Sequence, residues 1–346
     1  MRELRIPGPM GISRLIVGES ALRLENYLHH NKNVIIIDKK VRRLYGIPLS
    51  SGNVIEIEAS EGAKTLKTVE QIYRKFIEFG IDRSTCIVGI GGGVVCDITG
   101  FSASTYLRGL PFGFVPTTLL AQADASVGGK NGVNLDDYKN LVGLFRQPDF
   151  VLIDFAFLKS LPKTELACGT AEITKHALIK SQPLFHYLER EWRGLLRLED
   201  KVVERVVLRS VLIKSKIVRA DSLEKGERRK LNFGHTLGHA IERAGGFRHG
   251  EAVSLGMTFA SLMSLARGML SREEVDRVRA LLENLELPTR LPPLNRRSII
   301  DALRKDKKRQ DDDVFFVLLS GLGRAEVVKI SNKELEDKVN DLCQSR

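Results

Sequence analysis

The chain has 346 residues, 43% of them hydrophobic and 28% charged, with a formal net charge of +11. That length and balance exclude wholesale disorder and predict about two domains with a substantial core. No apolar run reaches the roughly 18 residues of a spanning helix, the first residues hold no apolar signal core, and the four scattered cysteines form no CxxC, which argues against a disulfide framework or thiolate zinc site and points to a reducing cytoplasm.

Taken in chain order, the β-branched runs 33–38, 54–58, 86–90, 112–115 and 150–154 read as strands, and 66–79 carries helical periodicity. Strand alternating with helix implies a mostly parallel, doubly wound, Rossmann-like sheet. Beyond residue 156 the spacing turns helical: 164–181, 184–196, 198–218, 228–244, 250–266 and 271–285. Two late strands, 314–318 and 325–330, fit a hairpin. The expectation is an α/β N-terminal domain over 1–155 and a mostly α-helical C-terminal domain over 156–346, with a site favoured where domains meet.

The positive charge is spread along the chain. Only 304–309 is dense in Lys and Arg, and Asp311 to Asp313 follow at once. With 6% aromatics and no RNA-binding signature, neither nucleic acid nor a membrane is expected as partner; anionic metabolites fit better.

Four segments carry chemistry. The first is Gly89 to Asp97, where a strand runs into Gly91, Gly92 and Gly93 and then a helix. Such a turn lets backbone amides approach a pyrophosphate, although Val94 breaks GxGxxG and a plain tight turn is the simpler reading. Asp38, ending a strand, suits a ribose hydroxyl or a helix cap. The second is Glu172 with Lys175, three apart on one helical face. A solvated ion pair is the ordinary reading, but the neighbours Ala167, Cys168, Ala171, Ala177 and Leu178 make a buried acid costly unless it binds something. The third is His235, His239 and His249, three of only seven histidines. The first two are i,i+4, which also fits core histidines; with His249 and an upstream acid they make a divalent-metal site such as Zn²⁺ with an open position. The fourth is the basic group Lys130, Lys139, Lys214 and Arg228, with Asn140, good oxyanion donors or simple surface charges.

Together these segments resemble the 3-dehydroquinate synthases of the sugar-phosphate cyclase family from about residue 30 to 325. The carrying stretches are Gly91 to Phe101, Val115 to Gln122, Ser126 to Lys130, Ala171 to Lys175, Leu231 to Glu242 and His249 to Val253. The resemblance implies conversion of 3-deoxy-D-arabino-heptulosonate 7-phosphate to 3-dehydroquinate and phosphate, with recycled NAD and a divalent metal, Zn²⁺ or Co²⁺, in a cytoplasmic homodimer. Residue by residue, it implies metal ligands Glu172, His235 and His249. It places Asp38, Glu61, Lys64, Gly92, Gly93, Val94, Val95, Cys96, Asp97, Thr117, Thr118, Lys130, Lys139, Phe157 and Ser160 around NAD. It places Asp124, Lys130, Asn140, Lys175, Lys214, Arg228, Asn232 and His239 at the substrate, with Lys307 or Lys308 as one more cation. Cys96, Ser160, Ser222, Leu237 and the 135–138 loop depart from the common pattern without removing a ligand. The alternatives are a sister cyclase of the aminodehydroquinate or deoxy-inosose type and a metal-dependent polyol dehydrogenase. Lys214 with Arg228, matching the family's carboxylate-binding pair, favours the synthase.

Overall fold

The computed structural model describes residues 1–8, 11–28, 32–46, 53–136, 138–290, 299–303 and 313–344. It divides into two compact units, Met1–Leu161 with Val203–Ser222, and Pro162–Val202 with Leu223–Arg346.

The first unit is built on a seven-stranded sheet. Its strands are β1 (Arg2–Gly8), β2 (Gly11–Val17), β3 (Asn33–Asp38), β4 (Val54–Ile57), β5 (Cys86–Gly91), β6 (Phe112–Pro116) and, after a separate hairpin, β9 (Phe150–Ile153), in the order β1-β2-β9-β6-β5-β3-β4. Only β1 runs antiparallel to its neighbour; β2, β9, β6, β5, β3 and β4 are parallel. The expected strands are all present. Their near-continuous Val/Ile runs are those of strands covered on both faces, and Ile35, Ile37, Val88, Ile90, Val115 and Leu152 form the core. Helices α1 (Lys39–Tyr45), α2 (Leu66–Glu78) and α3 (Gly93–Thr105) follow β3, β4 and β5. The chain steps from β3 outward to β4, then back across β3 to β5. The order therefore reverses between β3 and β5, the topological switch point where such sheets bind ligands beyond their carboxyl ends. The hairpin β7 (Lys130–Leu135) and β8 (Tyr138–Phe145) lies outside this sheet.

The second unit is largely helical. Helix α4 is Lys163–Lys180 and α5 is Gln182–Leu196; α6, Asp200–Ala220, begins in this unit and runs on into the first. After them come α7 (His235–Ala244), α8 (His249–Ala266) and α9 (Arg272–Asn284), then the antiparallel hairpin β10 (Asp313–Gly321) and β11 (Arg324–Ser331). Helix α8 is the unit's centre. From Gly250 to Ser261 only Glu251 escapes full burial, and it packs against α4, α7, α9 and β10. That matches its sequence, apolar or small on every face.

One expected helix is corrected. The stretch 228–244 is a 3-10 turn, Glu227–Asn232, and then α7. The break is Gly234, at φ +79, where an added Cβ would lie 2.6 Å from Met257 Cγ and 2.9 Å from the Val253 carbonyl oxygen. Glycine there supplies a left-handed turn and lets the backbone press onto α8. The break leaves His235 as the first residue of α7.

Among the described residues no helix is long and apolar enough to cross a membrane. Cys86, Cys96 and Cys168 are free and buried. Burial pushes the Cys86 thiol up to about 12 and Cys168 up to about 11, so neither is a ready thiolate.

Candidate active site

In the first unit the switch point carries Asp38 at the end of β3 and Gly91 at the end of β5. Gly91 admits no side chain, because a Cβ would fall 2.4 Å from Val95 Cγ2. Gly92 caps α3 and brings no side chain of its own to accept the first-turn amides of Gly93, Val94 and Val95. An anion fits that end. The Asp38 Oδ1 accepts from the Lys40 amide at 2.8 Å. The capping reading holds for one oxygen, and it orients the other. Thr117 donates its amide to Gly91 at 2.9 Å, and Thr118 Oγ1 accepts from Ala121 at 3.2 Å. Phe157 is buried edge-on to Tyr45, ring centres 4.7 Å apart, and Ser160 Oγ lies 2.7 Å from the Tyr45 hydroxyl.

Three sequence-nominated residues converge below this end. Lys64, 5% exposed, forms an ion pair with Asp97 of α3 and donates to Asn140 Oδ1 at 2.5 Å. Burial raises the Asp97 carboxyl, and Lys64 opposes it. Cys96, beside Asp97 on α3, packs its buried thiol near the Gly91 carbonyl. Glu61 accepts from Asn134 Nδ2 at 2.8 Å. Lys130 begins β7 and Lys139 lies on β8, both exposed. Asp124 sits in a single π-helical turn, Ala121–Ala125, paired with Lys214 of α6 at 2.6 Å.

In the second unit Glu172, His235 and His249 bring a carboxylate and two imidazoles together, with donor atoms within 4.8 Å of one another. Glu172 Oε1 is 3.3 Å from Nε2 of His235 and 3.3 Å from Nε2 of His249. Glu172 is 1% exposed and ion-paired with Lys175. Burial alone would raise its carboxyl; Lys175 and His235 outweigh that and hold it well below the usual carboxylate range. The ring of His235 shows how a cation would be held. Its Nδ1 lies 3.1 Å from the Phe233 carbonyl, which can only accept, so Nδ1 carries the proton and Nε2 presents a lone pair to Glu172. Burial lowers the His235 pKa and keeps the ring neutral. A lone pair facing a carboxylate oxygen wants a cation between them. Neutral imidazole and carboxylate are the donors that borderline divalent ions such as Zn²⁺ take, and the set fits one. Among the described residues no cysteine joins the set.

His239 belongs beside this set rather than in it. Its ring centre is 5.3 Å from that of His235 and 6.4 Å from that of His249. Burial takes its pKa down to about 3, so it is a neutral donor or acceptor. Arg228 is 2% exposed in the 3-10 turn, and Asn232 donates to Glu224 at 2.7 Å. Lys307 and Lys308 lie outside the described residues.

Sequence reasoning missed two contributors. Glu242 Oε2 is 3.5 Å from His249 Nδ1. Although burial pulls that imidazole down, Glu172 and Glu242 outweigh it and take it up to about 9. Its signal was available, because Glu242 is seven residues after His235 on the same helical face. The other is Asn134, an unremarkable residue in a Gly-rich run.

An α/β unit with an open glycine-rich turn at its switch point and a helical unit with a carboxylate–bis-imidazole set define a nucleotide- and metal-dependent type of enzyme. Two solved structures share the fold. Over 96% of this chain and 97% of its own, ValA (2-epi-5-epi-valiolone synthase) from Streptomyces hygroscopicus subsp. jinggangensis 5008, with NAD⁺ and Zn²⁺ bound, matches at TM-score 0.88 and 31% identity. A 2-deoxy-scyllo-inosose synthase complexed with carbaglucose-6-phosphate, NAD⁺ and Co²⁺ matches at TM-score 0.87 and 26% identity, over 98% of this chain and 100% of its own. The family models 3-dehydroquinate synthase N-terminal and C-terminal match residues 54–168 and 169–309. The 3-dehydroquinate synthase of Prochlorococcus marinus (strain AS9601) is 40% identical over 86% of this chain and 85% of its own. The chain belongs to the 3-dehydroquinate synthase family.

Proposed function

We infer that the chain converts 3-deoxy-D-arabino-heptulosonate 7-phosphate to 3-dehydroquinate and phosphate, as a cytoplasmic homodimer without nucleic-acid or membrane partners. The observation that carries the chemistry is the Glu172 carboxylate facing the unprotonated Nε2 of His235, with His249 at the same distance. When bound, NAD supplies a hydride acceptor that is restored within the turnover, and a divalent ion supplies the charge that acidifies a substrate hydroxyl.

The residues do the rest. Glu172, His235 and His249 hold the ion, and Glu242 orients His249. The amides at the start of α3 take the pyrophosphate, and the second oxygen of Asp38 accepts from a ribose hydroxyl. Lys64, Glu61, Asp97, Thr117, Thr118, Lys130, Lys139, Phe157 and Ser160 complete the nucleotide site. Asp124, Lys130, Asn140, Lys175, Lys214, Arg228, Asn232 and His239 bind the substrate. Lys130 and Lys175 hold phosphate oxygens as point charges, and Arg228, with Lys214 beside it in role, offers a carboxylate its planar fork. His239, neutral and half-buried, accepts or donates one proton near the reacting oxygens. The leaving phosphate can serve as its own base, so the protein's contribution is positioning and charge.

The test is to incubate the protein with NAD⁺, Zn²⁺ and the heptulosonate phosphate and follow phosphate and dehydroquinate together. Equal release of both with no accumulation of NADH is expected. Stoichiometric NADH from a simple polyol would make it a dehydrogenase instead. Equal turnover of a carboxylate-free sugar phosphate would make it a sister cyclase.

A further inference from the structure

We propose that Asn134 is a positioning residue that holds Lys64 and Asn140 in register for nucleotide and substrate. The inference rests on the assignment of those two as binding groups. Asn134 sits where the β7–β8 ladder is irregular, between the Val133–Val142 and Leu135–Tyr138 pairs. Its backbone leaves the hairpin there. The amide donates to the Lys64 carbonyl at 2.8 Å, and Thr65 and Asn134 form an isolated parallel bridge. Its side chain works in both directions. Oδ1 accepts the Asn140 amide at 2.8 Å, while Nδ2 donates to Glu61 Oε1 at 2.8 Å.

The side chain's orientation is forced. A backbone N–H can only donate and an ionised carboxylate only accept, so the carboxamide oxygen must face Asn140 and its nitrogen Glu61. Asn140 itself is held at φ +54, a left-handed conformation that most residues avoid and that Asn and Asp tolerate through local hydrogen bonds. Lys64 then closes the circuit by donating to Asn140 Oδ1 at 2.5 Å while paired with Asp97 of α3. Three residues are thus joined in a ring of hydrogen bonds, Asn134 to Lys64, Lys64 to Asn140 and Asn140 to Asn134. A fourth tie to Glu61 fixes the turn Glu61–Ala63 that delivers Lys64. An alanine lacks both functions of the amide, and an aspartate keeps the acceptor but meets Glu61 with like charge.

Calorimetric titration with NAD⁺ and steady-state kinetics with the heptulosonate phosphate test this, with zinc content as a control. Each hydrogen bond is worth about 0.5–1.5 kcal/mol net, so Asn134→Ala should weaken NAD⁺ and raise KM each by roughly three- to tenfold, with kcat moving less and bound zinc unchanged. Asn134→Asp should return KM toward wild type and leave NAD⁺ binding weak. NAD⁺ affinity and KM within twofold of wild type in Asn134→Ala would overturn the proposal. So would a variant that fails to fold, or one that loses melting temperature and kcat at constant KM, because Asn134 would then be a fold determinant only. A wild-type protein that binds no NAD⁺ or leaves the heptulosonate phosphate unchanged defeats the functional assignment itself, and does so before any variant is made.

Discussion

Lys214 and Asp124 meet through two atoms of the same residue: the ammonium lies 2.6 Å from the Asp124 carboxylate and 2.9 Å from its backbone carbonyl. The pair fixes α6 to the π-helical turn by both side chain and main chain, with the ammonium-bearing side chain 11% exposed. Removing one partner of a buried pair costs more than the pair is worth, because a charge is left behind. Asp124→Ala should therefore destabilise by about 2 kcal/mol, and adding Lys214→Met should recover most of it. Urea midpoints of the two single variants and the double decide this; additive losses would show that the two residues are not coupled.

The donor set Glu172, His235 and His249 predicts metal dependence. Dialysis against a chelator should abolish turnover, and Zn²⁺ or Co²⁺ should restore it. Removing a group that only hydrogen-bonds a metal ligand costs roughly 10–100-fold in metal affinity, so losing a ligand itself in His235→Ala should cost at least about a hundredfold. Glu242→Gln should fall in the lower range. Metal per chain after dialysis reads both without reference to activity, and full zinc content in His235→Ala would remove the centre from this set of residues.

Arg228 separates a carboxylate-bearing substrate from one without it. A charge-assisted hydrogen bond contributes about 1.5–3 kcal/mol, so Arg228→Leu should lower kcat/KM by on the order of tenfold to a hundredfold. Arg228→Lys should recover only part of that, with NAD⁺ and metal binding intact. If Arg228 serves the fold alone, the melting temperature falls and the preference between substrates stays put.

Glu227, which opens the turn carrying Arg228, lies 2.7 Å from Lys180 of α4 and 2.7 Å from Lys230. Partial burial works to raise its carboxyl, but the two lysines win and lower it from 4.5. A depressed carboxyl contributes stability that is complete above its unfolded pKa and is lost as pH falls through the folded value. Glu227→Gln should thus cost stability at pH 7, about 0.5–1 kcal/mol for so accessible a cluster, and progressively less below pH ~4.5. Chemical denaturation at several pH values measures the difference; a constant offset would mean the lysines do not depress Glu227.

Gly234 couples packing to the metal site. A side chain at φ +79, 2.6 Å from Met257 Cγ, should cost about 2–4 kcal/mol as strain plus clash. Because Gly234 immediately precedes His235, Gly234→Ala should lower zinc affinity as well as melting temperature. Unchanged affinity in the folded variant would uncouple the two.

The parallel strands were legible because strands buried on both faces must be apolar throughout, as Val34 to Ile37 and Ile87 to Ile90 are. The first two strands were not. Among Arg2 to Pro7 of β1 only Ile6 is buried, and Pro7 argues against a strand except at an edge. The β7–β8 hairpin escaped notice because Lys130 to Asn134 reads as a glycine-broken loop and β8 is mostly exposed. Helical spacing ran through Gly234 because periodicity records which residues are apolar and says nothing of φ. The histidines and Glu172 stood out by rarity and by an acid among small apolar neighbours. Asn134 carries no such mark, since its role lies in bonding partners 70 residues upstream and six downstream.

The return of residues 203–222 to the first unit has a consequence for biosynthesis and for evolution. A ribosome that has released residue 161 has not yet supplied Lys214, the partner of Asp124, nor the rest of that segment, whose Val206, Val207 and Val211 are fully buried. The first unit can complete itself only after about forty residues of the second have emerged, so the two halves mature interleaved in time rather than one after the other. Recombination faces the same obstacle: a single crossover near residue 161 would pair one parent's sheet with the other parent's segment 203–222, and three breakpoints, near residues 161, 202 and 222, would be needed to exchange the first unit whole.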